Sequence, residues 1–293
     1  MSGKRARIVN SRGLEVPRAR RWRVIALLLA SIAISACATV QAPVPAAVRP
    51  APNREQVTAL IAAMAVRDRT LTALSTGAVM EYRNASQHVK AREQIVVMRP
   101  DRLRVEASSP FGVVLIVAVD GPRLQIFEPG NNLLMHGTAT AAALDRFAQI
   151  PMEPKAAVDL LMAIVPASGQ LAGYSAATTD ASGATVLTWA TPGGGHREAA
   201  FADGELAAVR ERAGDGRLIY EVRYADYHNI GALMFPYSID AEFPAVGSSL
   251  KLTLKRPIVN APEPESLFVL TPASTTKEID LDQPQPRAAM PHS

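Results

Sequence analysis

The side chains able to do chemistry are few and scattered. The five histidines are His88, His136, His196, His228 and His292. No two stand four apart, and no HExxH occurs, so no helix presents a paired-imidazole metal site. The chain has one cysteine, Cys37. It can form neither an intrachain disulfide nor a cysteine-based zinc cluster. No Gly-x-Ser-x-Gly elbow and no phosphate-binding loop occurs. Gly193-Gly194-Gly195 precedes His196-Arg197-Glu198, but without the strand-to-helix context a phosphate needs, so it reads as a hairpin turn. Glu263 and Glu265 are a carboxylate pair that could serve acid/base work, yet they flank Pro264 in a Pro-broken stretch and read as solvated. Tyr220, Tyr224 and Tyr227 lie on one expected strand and read as packing residues. No catalytic constellation emerges, and the expectation is a non-enzyme with no cofactor.

Charge excludes a further class. The formal net charge is +4. Residues 1–36 hold eight basic residues and one acid; removing these from 31 and 27 leaves 23 basic and 26 acidic residues from Cys37 onward, a net charge of −3. That remainder has no basic run interleaved with aromatics, so nucleic acid is not an expected partner.

Cys37 gains meaning from what precedes it. Arg20–Arg23 gives a positive flank to Val24–Ser35, an apolar run of twelve residues. A membrane-spanning helix needs about 20 such residues, so this run has the form of a signal-peptide core. It ends in Ile34-Ser35-Ala36-Cys37, which resembles the lipobox of bacterial lipoproteins. The resemblance implies cleavage before Cys37 and acylation of its thiol and new N-terminus, and several acyl chains anchor stably where one does not. Arg20-Arg21 fits a twin-arginine signal poorly, which leaves the general secretory route. Ala38 and Thr39 follow the cysteine; the absence of Asp there implies the outer rather than the inner membrane of a bacterial envelope.

The rest of the chain must build what the anchor carries. Residues 37–53 are the cysteine and a Pro/Ala-rich linker. Arg54–Arg69 places Val57, Leu60, Ile61, Met64 and Ala65 at amphipathic helical spacing, with Asn53 as N-cap. Strands are expected at Leu74–Arg83, His88–Met98, Arg102–Ser108, Gly112–Val119, Arg123–Phe127 and Asn131–Thr138, an antiparallel meander. In the third, Leu103, Val105 and Ala107 share one face and Arg102, Arg104 and Glu106 the other. Gly112–Val119 has no polar face. Either a core lies on one side and a ligand cavity or partner on the other, or the strand is sandwiched between layers. Ser109-Pro110-Phe111-Gly112 is a tight loop with an aromatic at its tip. Helices are expected at Ala141–Ala148 and Pro154–Ile164. Strands resume at Ala184–Ala190, Arg197–Ala202, Leu206–Arg212, Leu218–His228, Met234–Phe243 and Leu250–Lys255. Residues 261–293, with six prolines, read as a largely disordered tail. The expected fold class is α+β: one strongly curved antiparallel sheet, a half-open barrel, covered by helices.

This order of lipobox, linker, helix, meander, two helices and second meander resembles the LolA/LolB fold of lipoprotein carriers and receptors over roughly residues 54–260. The local match is best with the LolB-type outer-membrane receptor, whose basic strand leads into Asn-Pro-Leu-Gly; here the run is Asp101-Arg102-Leu103-Arg104-Val105 through Pro110-Phe111-Gly112. Met234–Lys255 resembles the family's late Pro-containing strand pair. Arg99-Pro100 resembles the Arg-Pro of the carrier, whose arginine pins a lid over the cavity. The resemblance implies an outer-membrane-anchored, periplasm-facing monomer that binds acyl chains and accepts lipoproteins from a periplasmic LolA-like carrier. A lipid-binding sensor or assembly accessory on the same fold is the alternative. Phe111 would then contact lipid or membrane and Arg99 would act as the gate. Leu103, Val105, Leu115, Val117 and Ile126 would line the cavity.

Overall fold

The computed structural model describes residues 50–148 and 150–283, with Phe147 and Ala148 described in their backbone alone. Cys37, the signal segment and the linker before Pro50 lie outside the described residues.

Asn53 opens helix α1 (Arg54–Thr70), its side-chain oxygen accepting from Gln56 N at 2.7 Å. The stripe Val57, Leu60, Met64 is buried, as the spacing predicts, but it ends on a buried Arg67. Six strands follow as a meander: β1 (Ala73–Arg83), β2 (His88–Met98), β3 (Arg102–Ser109), β4 (Gly112–Asp120), β5 (Arg123–Glu128) and β6 (Leu133–Thr138). Helices α2 (Ala141–Ala148) and α3 (Pro154–Leu161) come next. A second set then runs through β7 (Ala176–Thr179), β8 (Thr185–Ala190), β9 (His196–Ala202), β10 (Glu205–Arg212), β11 (Leu218–Ile230), β12 (Leu233–Phe243) and β13 (Ser248–Val259), and β14 (Lys277–Asp280) closes the described chain.

The fourteen strands of the described residues belong to one unclosed sheet, ordered β14-β6-β5-β4-β3-β2-β1-β13-β12-β11-β10-β9-β8-β7. The two meanders join where β1 pairs with β13. The chain therefore leaves β6 near one edge of the sheet and re-enters at β7 on the other edge. Residues 139–175, including α2 and α3, make that crossing. A single core cluster takes Leu74 and Val97 from the first meander, Phe235 and Leu252 from the second, Val57 from α1 and Val158 from α3. Sheet and crossing segment thus bury one shared apolar face, which is where most of the folding free energy arises. The fold is mostly strand, with few helices, so the expected α+β class describes it only loosely.

Irregularities bend the ladders. Between Ser75 and Gly77 the β1–β13 register slips, with Arg256 on β13 at φ 53°. Asp226 on β11, at φ 57°, drops out of the ladder between Ala225 and Tyr227 without a change of register. The slip in the β1–β13 pair sharpens the local twist there.

The C-terminal expectation is overturned for residues 261–283. Phe268 is 1% exposed, in a short 3-10 turn (Glu265–Phe268) that packs on β3 and β4. Gln125 clasps the backbone of Leu270 from both sides, at 3.0 and 2.9 Å. β14 then pairs parallel to β6, and the Asp282 carboxylate accepts from the amide and hydroxyl of Thr138. The segment has no apolar period because it is held by one aromatic and by polar clasps. Ala118 on β4 is fully buried, between Arg104 of β3 and Gln125 of β5.

Candidate lipid-binding cavity

Alternation places Ala78, Met80 and Tyr82 of β1 on one face, with Glu93 and Ile95 of β2 beside them and Leu103 and Val105 of β3 next. This face and the crossing helices enclose a cavity of about 250 Å³. Four of the five expected lining residues, Leu103, Val105, Leu115 and Val117, stand in its wall. The fifth does not: Ile126, one strand further, is 6% exposed inside the core cluster and is not part of that wall. The remaining wall was not foreseen. Leu144, Met152, Ala157 and Leu161 come from the crossing segment, and Val222, Ile239, Phe243 and Leu250 from the second meander. Their contribution depends on the sheet folding back on itself, which no local pattern signals.

Phe111 occupies the tip of the β3–β4 turn and is 99% exposed. Its amide donates to Ser109 Oγ at 3.1 Å. Gly112, at φ 120°, supplies a backbone angle closed to other residues, which directs the ring outward. Val114, 48% exposed, sits in a bulge beside the turn. The β1–β2 and β12–β13 turns lie at the same end of the antiparallel ladders and add the exposed Val89 and Val246. The cavity lies toward this end, since its β1 and β13 lining residues Tyr82 and Leu250 are paired in register there.

Arg99 stands at the other end and does not line the cavity. Its Nε donates to Asp159 Oδ1 at 3.1 Å and Nη2 to Asp68 Oδ1 at 2.5 Å; Nη1 donates to the Asp68 carbonyl. The guanidinium thereby ties α3 to the end of α1 and to the β2–β3 corner. Burial pushes the Asp159 carboxyl above its ordinary range, against the opposing pull of Lys155 and Arg99. Three further contacts hold the same turn of chain: Arg67 donates to the Met162 carbonyl, Tyr224 Oη to the Leu160 carbonyl at 2.9 Å, and Arg197 to the Pro166 carbonyl at 2.8 Å. Arg67 also donates to the Met234 carbonyl at 2.8 Å and lies 5.2 Å from the centre of the Phe235 ring. Burial lowers its pKa. Sequence reasoning missed Arg67, although the helical stripe that ends on it was visible.

Among the described residues no group of His, Cys, Asp and Glu could hold a metal ion, and no helix is long and apolar enough to cross a membrane. No family profile and no curated protein matches the chain. Solved structures do. A DUF1329 family protein from Desulfovibrio piger superposes with a TM-score of 0.53 at 12% identity, over 75% of this chain and 98% of that one. A putative outer membrane lipoprotein-sorting protein domain from Vibrio parahaemolyticus gives a TM-score of 0.52 at 10% identity, over 73% and 97%. The likeness is one of fold. A LolA superfamily protein from Nitrosomonas europaea is also similar, with a TM-score of 0.48 at 12% identity, over 72% of this chain and 97% of that chain.

Proposed function

We propose that this chain is an outer-membrane-anchored lipoprotein, acylated at Cys37, that binds acyl chains in its cavity. In this reading it accepts lipoproteins from a periplasmic carrier of LolA type and inserts them into the bilayer, without catalysis and without a cofactor beyond its own covalent lipid. The observation that carries it is the cavity: apolar walls from both meanders, roofed by the crossing helices, toward a rim where Phe111 is 99% exposed. Each methylene buried there stabilises a chain by about 0.8 kcal/mol. The volume of 250 Å³ lies just under the roughly 300–1,000 Å³ of ordinary ligand pockets. Accepting more than one chain therefore requires the roof to move, and Arg99 holds that roof through Asp159. An apolar ring on the rim could enter the headgroup boundary and bring the cavity to the membrane. The sorting function of the Vibrio structure's namesake and its shared fold support this reading.

Native mass spectrometry of the purified protein is expected to find co-purified acyl lipid or lipopeptide, and a uniformly unliganded protein would count against the cavity's role. Depletion in the source bacterium is expected to strand other lipoproteins on their periplasmic carrier. Undisturbed delivery would refute the receptor role while leaving lipid binding intact.

A further inference from the structure

The cavity wall holds one residue that an apolar pocket does not need. Glu93 sits on the inner face of β2, opposite Ala78 of β1 and Ala107 of β3. Both neighbours are too small to shield it or to bond to it. The carboxyl lines the cavity and makes no hydrogen bond or ion pair among the described residues.

Among the described residues, the surrounding elements offer it no charge. Tyr82 of β1 is the other ionisable group in the wall, and its hydroxyl accepts from Asn84 Nδ2. Glu81 of β1, Arg92 of β2, Arg104 and Glu106 of β3 and Asp120 of β4 alternate onto the opposite face. Glu221 and Arg223 of β11, Asp240 and Glu242 of β12 and Lys251 of β13 do the same. On the roof, Asp145 and Arg146 of α2 and Lys155 and Asp159 of α3 lie outside the lining.

An unpaired carboxylate is tolerated here only while water reaches it. A hydrocarbon chain that fills the cavity removes that water and provides no donor. We infer that Glu93 makes the cavity selective for uncharged chains and couples their entry to protonation: one proton passes from solvent to a Glu93 carboxylate oxygen as a chain enters, and returns to solvent as the chain leaves. This rests on the proposed acyl-chain binding and adds its specificity and its driving ion. Burial alone already pushes the empty-cavity carboxyl up to about 7, which puts the exchange within the range where a bacterial envelope operates. The competing reading is a cation site, in which a cationic amphiphile pairs with the carboxylate and no proton is taken up.

The test uses the full chain and 1-(pyrenedecanoyl)glycerol, a probe uncharged throughout, titrated by fluorescence between pH 6 and pH 8.5. With one linked proton, the wild-type Kd is expected to weaken about tenfold from pH 6 to pH 8, with proton uptake on binding at pH 8 read by an indicator dye. Glu93→Gln is expected to hold the wild-type pH 6 affinity at every pH. A pH-independent wild-type Kd, or binding without proton uptake, would overturn the inference and leave acyl-chain binding standing. No binding of the probe to either protein at any pH would overturn acyl-chain binding itself. Tighter wild-type binding of dodecyltrimethylammonium than of the neutral probe at pH 8 would overturn the inference in favour of a cation site. Proton uptake by the wild type decides the matter even if the variant fails to fold.

Discussion

Replacing Arg99 by Ala tests whether the roof is pinned as the geometry implies. The substitution removes two carboxylate contacts and the donation to the Asp68 carbonyl. The Asp159 side chain is 3% exposed, so its charge cannot be hydrated in place, whereas Asp68 at 30% can be. Breaking a buried pair by removing one member costs about 3–5 kcal/mol. Lys155, 3.4 Å from Asp159 Oδ2, remains as a partial counter-ion, and Arg99 itself is 19% exposed, which places the expectation near the lower bound, at about 3 kcal/mol. The pH dependence has a definite sign. The Asp159 carboxyl is already raised by burial, and losing Arg99 raises it further. A raised carboxyl pKa favours the folded state at low pH and opposes it as pH increases through the folded value. The deficit of Arg99→Ala should therefore be largest near pH 8 and shrink as Asp159 takes a proton. Urea denaturation of the wild type, Arg99→Ala, Asp159→Asn and the double variant at pH 5.5 and pH 8 measures both quantities. A coupling of about 1–3 kcal/mol is expected at pH 8. Additive single effects, or an Arg99→Ala cost under about 0.5 kcal/mol, would refute the pin.

Four further outcomes follow from the same structure. Glu93 rises from 4.5 to about 7, so its contribution favours folding below pH 4.5 and is lost as pH rises through 7; Glu93→Gln should stabilise the protein at pH 8 by up to about 3 kcal/mol, seen as a higher urea midpoint that converges with the wild type in acid. Phe111→Ser removes a 99% exposed ring and should leave stability within about 0.5 kcal/mol while lowering lipid insertion into vesicles. Ala157→Phe should fill the cavity from α3 and reduce co-purified lipid in native mass spectra, with the circular dichroism spectrum retained. Phe268→Ala should cost about 3–5 kcal/mol in urea denaturation; a disordered tail would predict no change.

The legibility of the chain was uneven for physical reasons. The strands β1–β6 and β8–β13 are readable because each turn carries its own chemistry and each strand either alternates or, like β4, is apolar throughout. β7 and β14 were not readable. The first is a four-residue edge strand, AATT, and the second, KEID, pairs with a strand far away in the chain. Glu93 was legible and overlooked: in HVKAREQIVVM it falls on the parity of Ile95 and Val97, an acid on an apolar face. Arg67 was equally visible as the end of a buried stripe. Ile126 shares the face of Val117 but not the cavity, because parity assigns a face and not a depth.

The sequence by itself determined which side chains share a face, where the chain turns, that no catalytic or metal-binding arrangement is spelled out in its motifs, and that Phe111 tops a tight loop. These are short-range properties, set by backbone sterics and the period of a strand or helix. Only the tertiary structure decided that β1 pairs with β13, that residues 139–175 cross from one edge of the sheet to the other, and that Arg99 meets Asp68 and Asp159. It also decided that Glu93 lies in an apolar wall with no partner among the described residues. Those contacts join residues up to 185 positions apart, as in the pairing of Leu74 with Val259. Their positions follow from how a bulged sheet bends, which alternation does not encode.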